Sequence, residues 1–130
     1  MQIRFKGMAM PAVPVLIALV ISLLPVYASA FVPEDLERLK ESKTCPGCDL
    51  RGADLRGLNL NGANLEGANL LESNLEGASL TGANLEDASC EKANLLKARL
   101  DGVKLDGANL DGATWSDGKV CKEGSVGVCK

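Results

Sequence analysis

Five cysteines carry most of the chemistry this sequence could do. Cys45-Pro46-Gly47-Cys48 has the CxxC spacing of thiol–disulfide oxidoreductases. That chemistry needs the first thiol exposed at a helix N-terminus, where the dipole lowers its pKa. Two cysteines also offer two metal ligands, but a tetrahedral site takes three or four. Cys121 and Cys129 bracket KEGSVGV, a short loop with two glycines that a disulfide would tie into a lid. In an oxidising compartment such pairs close. Cys90 stands alone between them. The chain has no histidine, which removes the commonest general base and rules out a Ser/His/Asp set. No glycine loop of the phosphate-binding kind is present, and no cofactor is expected.

The segments that would hold these residues start with an export signal. Arg4 and Lys6 charge the N-terminus, and an apolar run extends from Met8 to Val26. It closes with Ala28-Ser29-Ala30, the small-x-small pattern of a cleavage site. Pro11, Pro14 and Pro25 suit a transient signal better than a stable spanning helix. An uncleaved anchor is the competing reading, since about 19 apolar residues nearly cross a bilayer. Cleavage after Ala30 makes the product periplasmic or secreted, with no stable membrane insertion. It removes two of the 14 basic residues and none of the 17 acidic ones, so the mature charge is 12 − 17 = −5. That balance disfavours nucleic acid and anionic membrane as partners. Beyond residue 30 the chain keeps Trp115, Phe31 and no tyrosine, too few aromatics to line a pocket or stack bases.

From residue 48 the sequence aligns to itself at period five. CDLRG, ADLRG, LNLNG, ANLEG and ANLLE begin a series of fourteen units that runs without insertion to ATWSD. A period of five is neither the 3.6 of a helix nor the 2 of a plain strand. It suits a chain that turns a corner every fifth residue and sends two side chains per unit inward. One inward column holds leucine in 12 of 14 units, broken only by Cys90 and Trp115. The other, two residues earlier, is mostly alanine, with Leu58 and Val103 as oversized members that should bulge. Leu71 and Leu96 fall at outward positions. Glycine closes nine of the units, where a corner needs a positive φ. Ahead of the repeat, PEDLERLKES places Leu36 and Leu39 on one side of a short helix with Pro33 in its first turn.

These units resemble the pentapeptide-repeat family, whose consensus is A(D/N)LXX. The resemblance implies an all-β fold, a right-handed quadrilateral β-helix with four units per coil. Residues 48–117 would make about three and a half coils, a stack about 17 Å tall at the usual strand spacing. The expected organisation is a signal peptide at 1–30, an N-terminal α-helical cap with the CPGC clip at 31–47, the β-helix at 48–117, and a disulfide-closed tail at 118–130. Cys45–Cys48 and Cys121–Cys129 are the expected disulfides. Cys90 would stack between Leu70 and Leu110 as a buried free thiol, a small hydrophobe.

Twenty residues per coil would also align Glu66, Glu86 and Asp106 in one outward column. Like charges facing each other across strands are destabilising, so the column is a candidate face for a cation or a basic partner, or else a solvated acidic face. The leading functional expectation is a non-catalytic exported structural or protein-interaction module, not an enzyme. Thiol–disulfide exchange through Cys45 and Cys48 is the first alternative. A DNA mimic that binds gyrase, as the quinolone-resistance members do, is the second; export and short length weigh against it. End-to-end coil stacking offers a route to oligomers, but covered ends argue for a monomer.

Overall fold

The computed structural model describes residues 31–130, and the expected signal segment lies outside the described residues. Helix α1 spans Pro33–Ser42. Pro33 opens it, Glu34 and Asp35 sit in the first turn and Lys40 in the last, each sign matching its end of the helix dipole. It stops at Lys43, whose φ of 55° is left-handed and whose N–H donates to Leu39 O at 2.9 Å. Leu36 and Leu39 are buried in the core cluster. Among the described residues no helix is long and apolar enough to cross a membrane.

After α1 the backbone pairs with itself in parallel at a constant offset of twenty. Thr44 faces Asn64, Asp49 faces Asn69, and the series runs through Asn94 facing Thr114. Four five-residue units therefore bring the chain back over its starting side. Each side contributes one paired residue, because a corner follows before a longer strand can form. One unit shows the rule: Leu50 N–H donates to Asn69 O at 2.8 Å and Gly52 N–H to Leu71 O at 2.9 Å. Ala53 N–H closes the corner onto Leu50 O at 3.0 Å, with Gly52 at φ 66°. Most residues avoid that left-handed φ, which is why glycine recurs there.

The ladder begins earlier than the expected boundary at 48. Cys45 N–H donates to Asn64 O and Gly47 N–H to Glu66 O, both at 2.8 Å, and Gly47 takes the corner φ of 67°. Residues 43–47 are thus a further unit rather than part of a separate clip. Cys45 stands at the head of the leucine column, five before Leu50, and Cys48 heads the alanine column. Proline and lysine disguise the unit, but its backbone bonds need neither leucine nor alanine.

The interior is made of those two columns. Ten leucines from Leu50 to Leu110 are at most 1% exposed, as are most of the alanines beside them. Leu58 and Val103, too large for the alanine column, are pushed half out, and Leu71 and Leu96 are half-buried on the sides. At the far end the tail doubles back antiparallel, with Val120 opposite Thr114 and Val126 opposite Asn109. It therefore covers two sides of the last coil, not all four.

Candidate functional site

Cys45 and Cys48 form a disulfide with their Cα atoms 5.4 Å apart. The sulfurs lie at the junction of α1 and the first coil, and the two residues are 0% and 2% exposed. Asp35 O lies 3.2 Å from Cys45 Sγ, a contact without a proton because a bridged sulfur carries none. Arg38 Nη1 points at Cys48 Sγ from 3.8 Å. The Asp35 carboxylate accepts the Asp49 N–H at 2.9 Å and pairs with Arg38 at 3.4 Å. Val32 N–H donates to Asp49 O, so both backbone groups of Asp49 are tied to the α1 end.

Asp35, Cys45 and Cys48 are the one group among the described residues with ligand atoms close enough to share a metal, all within 4.8 Å. Their chemistry does not suit one: both sulfurs are spent in the disulfide, and the carboxylate is already engaged by Asp49 and Arg38. Thiol exchange would need an attacking thiolate to reach a sulfur enclosed by α1. The motif also follows a helix instead of opening one. What the arrangement does is fasten α1 to the coil. Asp35 and Arg38 were not legible as part of it, since their relation to the cysteines depends on how α1 lies on the stack.

The second disulfide, Cys121–Cys129, closes the tail with Cα atoms 4.9 Å apart. Inside that loop Ser125 is fully buried. Its hydroxyl donates to Lys122 O at 2.6 Å and accepts the Lys130 N–H at 3.1 Å, while its own N–H reaches Asp111 Oδ1 at 2.8 Å. The loop is wired internally and then to the coil. Ser125 drew no attention in the sequence because nothing local marks it.

Cys90 is free and 0% exposed. Burial pushes its thiol up to about 12, so thiolate is scarce at neutral pH. Its N–H continues the ladder to Asn109 O at 2.7 Å, as a leucine's would.

The lateral faces carry the polar residues. The asparagine or aspartate that stands before most of the column leucines has a local task that the repeat did not disclose. Asn64 Oδ1 accepts the Glu66 N–H at 3.1 Å, and Asn69, Asn74, Asn84 and Asn94 do the same two residues on. The side chain thereby satisfies a corner N–H that the ladder leaves free. Where aspartate takes the place, arginine two residues later adds a two-pronged bond: Arg51 on Asp49 and Arg56 on Asp54, at 2.7–2.8 Å. The Arg56 guanidinium holds the Asp54 carboxyl down at about 2. Glu66, Glu86 and Asp106 lie on successive coils, since Gly67 N–H meets Glu86 O and Asp87 N–H meets Asp106 O. Their carboxylates do not gather within 4.8 Å of one another. The Glu66 carboxylate accepts from Asn84 Nδ2 at 3.5 Å.

The family model for pentapeptide repeats matches residues 48–87 and 78–114, more than half of the chain, with eight copies. No curated protein sequence matches. Three solved structures are similar. The pentapeptide repeat protein Rfr23 from the cyanobacterium Cyanothece 51142 is 23% identical, with a TM-score of 0.45 over 63% of this chain and 97% of that one. A pentapeptide repeat protein from the thylakoid lumen of Arabidopsis thaliana is 34% identical, with a TM-score of 0.43 over 56% of this chain and 55% of that one. HetL, a pentapeptide repeat protein involved in heterocyst differentiation regulation in Nostoc sp. strain PCC 7120, is 40% identical. Its TM-score is 0.25 over 59% of this chain and 40% of that one. The chain thus spans nearly all of the first and about half or less of the other two.

Proposed function

The chain belongs to the pentapeptide-repeat family, and from that premise we propose that it is an exported, non-catalytic structural or protein-interaction module. The finer architecture that goes with this reading is a short stack of about three and a half coils after a cleaved signal, held by α1 at one end and a disulfide-closed tail at the other. One observation carries it: the interior is filled by leucine and alanine columns, and the polar side chains stand on lateral faces at a fixed twenty-residue spacing. Faces of that kind present a rigid array to another macromolecule. The face bearing Glu66, Glu86 and Asp106 is the one we assign to a basic protein partner, as these carboxylates do not converge on a single cation position. The test is cross-linking in cells expressing the full chain with a photoreactive residue at Glu86, followed by fractionation. A discrete adduct with a basic protein outside the cytoplasm supports the reading. Cytoplasmic protein without any adduct refutes it.

Thiol–disulfide exchange remains the second reading because Cys45–Cys48 is an intact CxxC disulfide. Burial of both sulfurs weighs against it. A disulfide-reductase assay decides: turnover that disappears in Cys45→Ser supports exchange, and equal rates in the two proteins dismiss it.

A further inference from the structure

The two sulfurs of the Cys45–Cys48 disulfide face different groups of α1. Asp35 O lies 3.2 Å from Cys45 Sγ, and Arg38 Nη1 lies 3.8 Å from Cys48 Sγ. While the sulfurs are bridged the difference has no consequence. After reduction it matters, because a carbonyl oxygen only accepts a hydrogen bond and a guanidinium only donates one. A thiol at Cys45 donates its proton to Asp35 O, whereas a thiolate there meets that oxygen's lone pairs. A thiolate at Cys48 accepts from Arg38 and stands beside its positive charge.

The backbone after Cys45 adds nothing for a thiolate at that position. In the usual CxxC pair the first cysteine ionises because a helix starts there and its free N–H groups point at the sulfur. Here Pro46 has no N–H. Gly47 N–H is spent on Glu66 O at 2.8 Å, and Cys48 N–H on Cys45 O at 3.3 Å. The other charges nearby do not choose between the sulfurs. The Asp35 carboxylate lies within 4.8 Å of both and disfavours a thiolate at either. It is turned to Asp49 N–H at 2.9 Å and to Arg38 at 3.4 Å. On the coil side, Asp49 is neutralised by Arg51 through two bonds of 2.8 and 2.7 Å. Burial opposes ionisation of both sulfurs alike, since the residues are 0% and 2% exposed. These shared effects set how readily the pair loses a proton. Arg38 and Asp35 O set which sulfur loses it.

We infer that the reduced pair is polarised in the reverse of the usual order: Cys48 is the thiolate, Cys45 keeps the proton, and Arg38 is the positioning residue. The reductant is a dithiol. It gives the disulfide two electrons, becomes a disulfide itself, and leaves one of its two protons on Cys45 and the other in solvent. Its thiolate reaches the sulfurs when α1 lifts, and the closing of α1 returns Arg38 to Cys48. The pairing therefore stabilises the reduced state at equilibrium. This deepens the second reading above, thiol–disulfide exchange, and rests on it only in requiring that the disulfide can be reduced.

The experiment reduces the full chain with excess dithiothreitol and follows the assigned cysteine 13Cβ shifts from about pH 5 to 11, a range that spans thiol ionisation. Cys48 should titrate before Cys45, with midpoints about one unit or more apart, a tenfold preference. Arg38→Met keeps the apolar stem of a side chain that is 57% exposed, so α1 should stay in place, as protection of the Lys43 amide would report. It should close the gap between the midpoints, and Arg38→Lys should restore part of it. Asp35→Asn should move both midpoints down together and keep their order. Against a dithiol–disulfide buffer, at a pH where Cys48 is ionised, Arg38→Met should lower the reduced fraction by up to about tenfold. Cys45 titrating first overturns the inference. So do coincident midpoints, an order that survives Arg38→Met, or a disulfide that excess dithiol leaves intact. Absence of turnover in the reductase assay, with the order as stated, dismisses exchange alone.

Discussion

Ser73 and Ser125 are the buried polar side chains among the described residues, at 1% and 0% exposure, and their environments are opposite. Ser73 stands in the alanine column with no hydrogen-bond partner for its hydroxyl. Leaving a buried hydroxyl unpaired costs about 1–3 kcal/mol. Ser73→Ala deletes one oxygen, whose few dispersion contacts are together worth about 0.5 kcal/mol. The net expectation is stabilisation by about 1 kcal/mol, a rise in Tm of about 4–8 °C for a domain of this size. Ser125 donates to Lys122 O and accepts from Lys130 N–H. Ser125→Ala strands both groups and should destabilise the tail by about 1–3 kcal/mol. Urea titration followed by circular dichroism measures the first effect, and amide exchange at Lys130 and Val126 localises the second. Destabilisation by Ser73→Ala comparable to that of Ser125→Ala would refute the reasoning, because it would mean the Ser73 hydroxyl has a partner.

Cys90 should resist an aromatic disulfide reagent at neutral pH until the protein unfolds, and Cys90→Leu should change stability by less than about 1.5 kcal/mol in either direction, measured by the same urea titration. Lys97 holds a corner at φ 58°, and its side chain makes no ion pair among the described residues, so Lys97→Gly should stabilise by roughly 0.5–1 kcal/mol. Gly82→Ala, at φ 69° with open space around a new Cβ, should destabilise by roughly 1 kcal/mol through the backbone alone. For Asp54 the folded pKa is about 2 against an ordinary 3.8. A depressed carboxylate contributes stability above its unfolded pKa and loses it as pH falls through the folded one. The contribution should therefore fade between about 3.8 and about 2. Carboxyl chemical shifts check this, and Arg56→Ala should return Asp54 to the ordinary carboxylate range.

The sequence by itself determined the repeat, the inward columns and the places of the corners, because a five-residue period leaves each side chain one role. Leu50 through Leu95, and Leu110, are inside for the same reason that Cys90 is: position within the unit decides burial in the covered coils, and residue type follows. The same logic extended one unit further than the letters suggested, since Cys45 is five before Leu50 and Gly47 five before Gly52. Lys43 and Pro46 hid that unit by departing from the side-chain pattern while keeping the backbone pattern. Asp49–Arg51 and Asp54–Arg56 were legible as spacing but not as bonds.

What only the tertiary structure decided lies at the ends of the stack. A coil in the middle meets an identical coil above and below, so local sequence suffices to place it. An end coil meets whatever the chain happens to lay across it. Asp35 comes to the Cys45–Cys48 disulfide through the angle of α1, and Ser125 is buried through the doubling-back of the tail. Leu100 and Leu105 belong to the same column as Leu50, yet they are half-exposed because that tail turns back over Thr114 and Asn109 and leaves their edge bare. Periodicity cannot encode that difference, since it repeats the same residue for a covered edge and an open one.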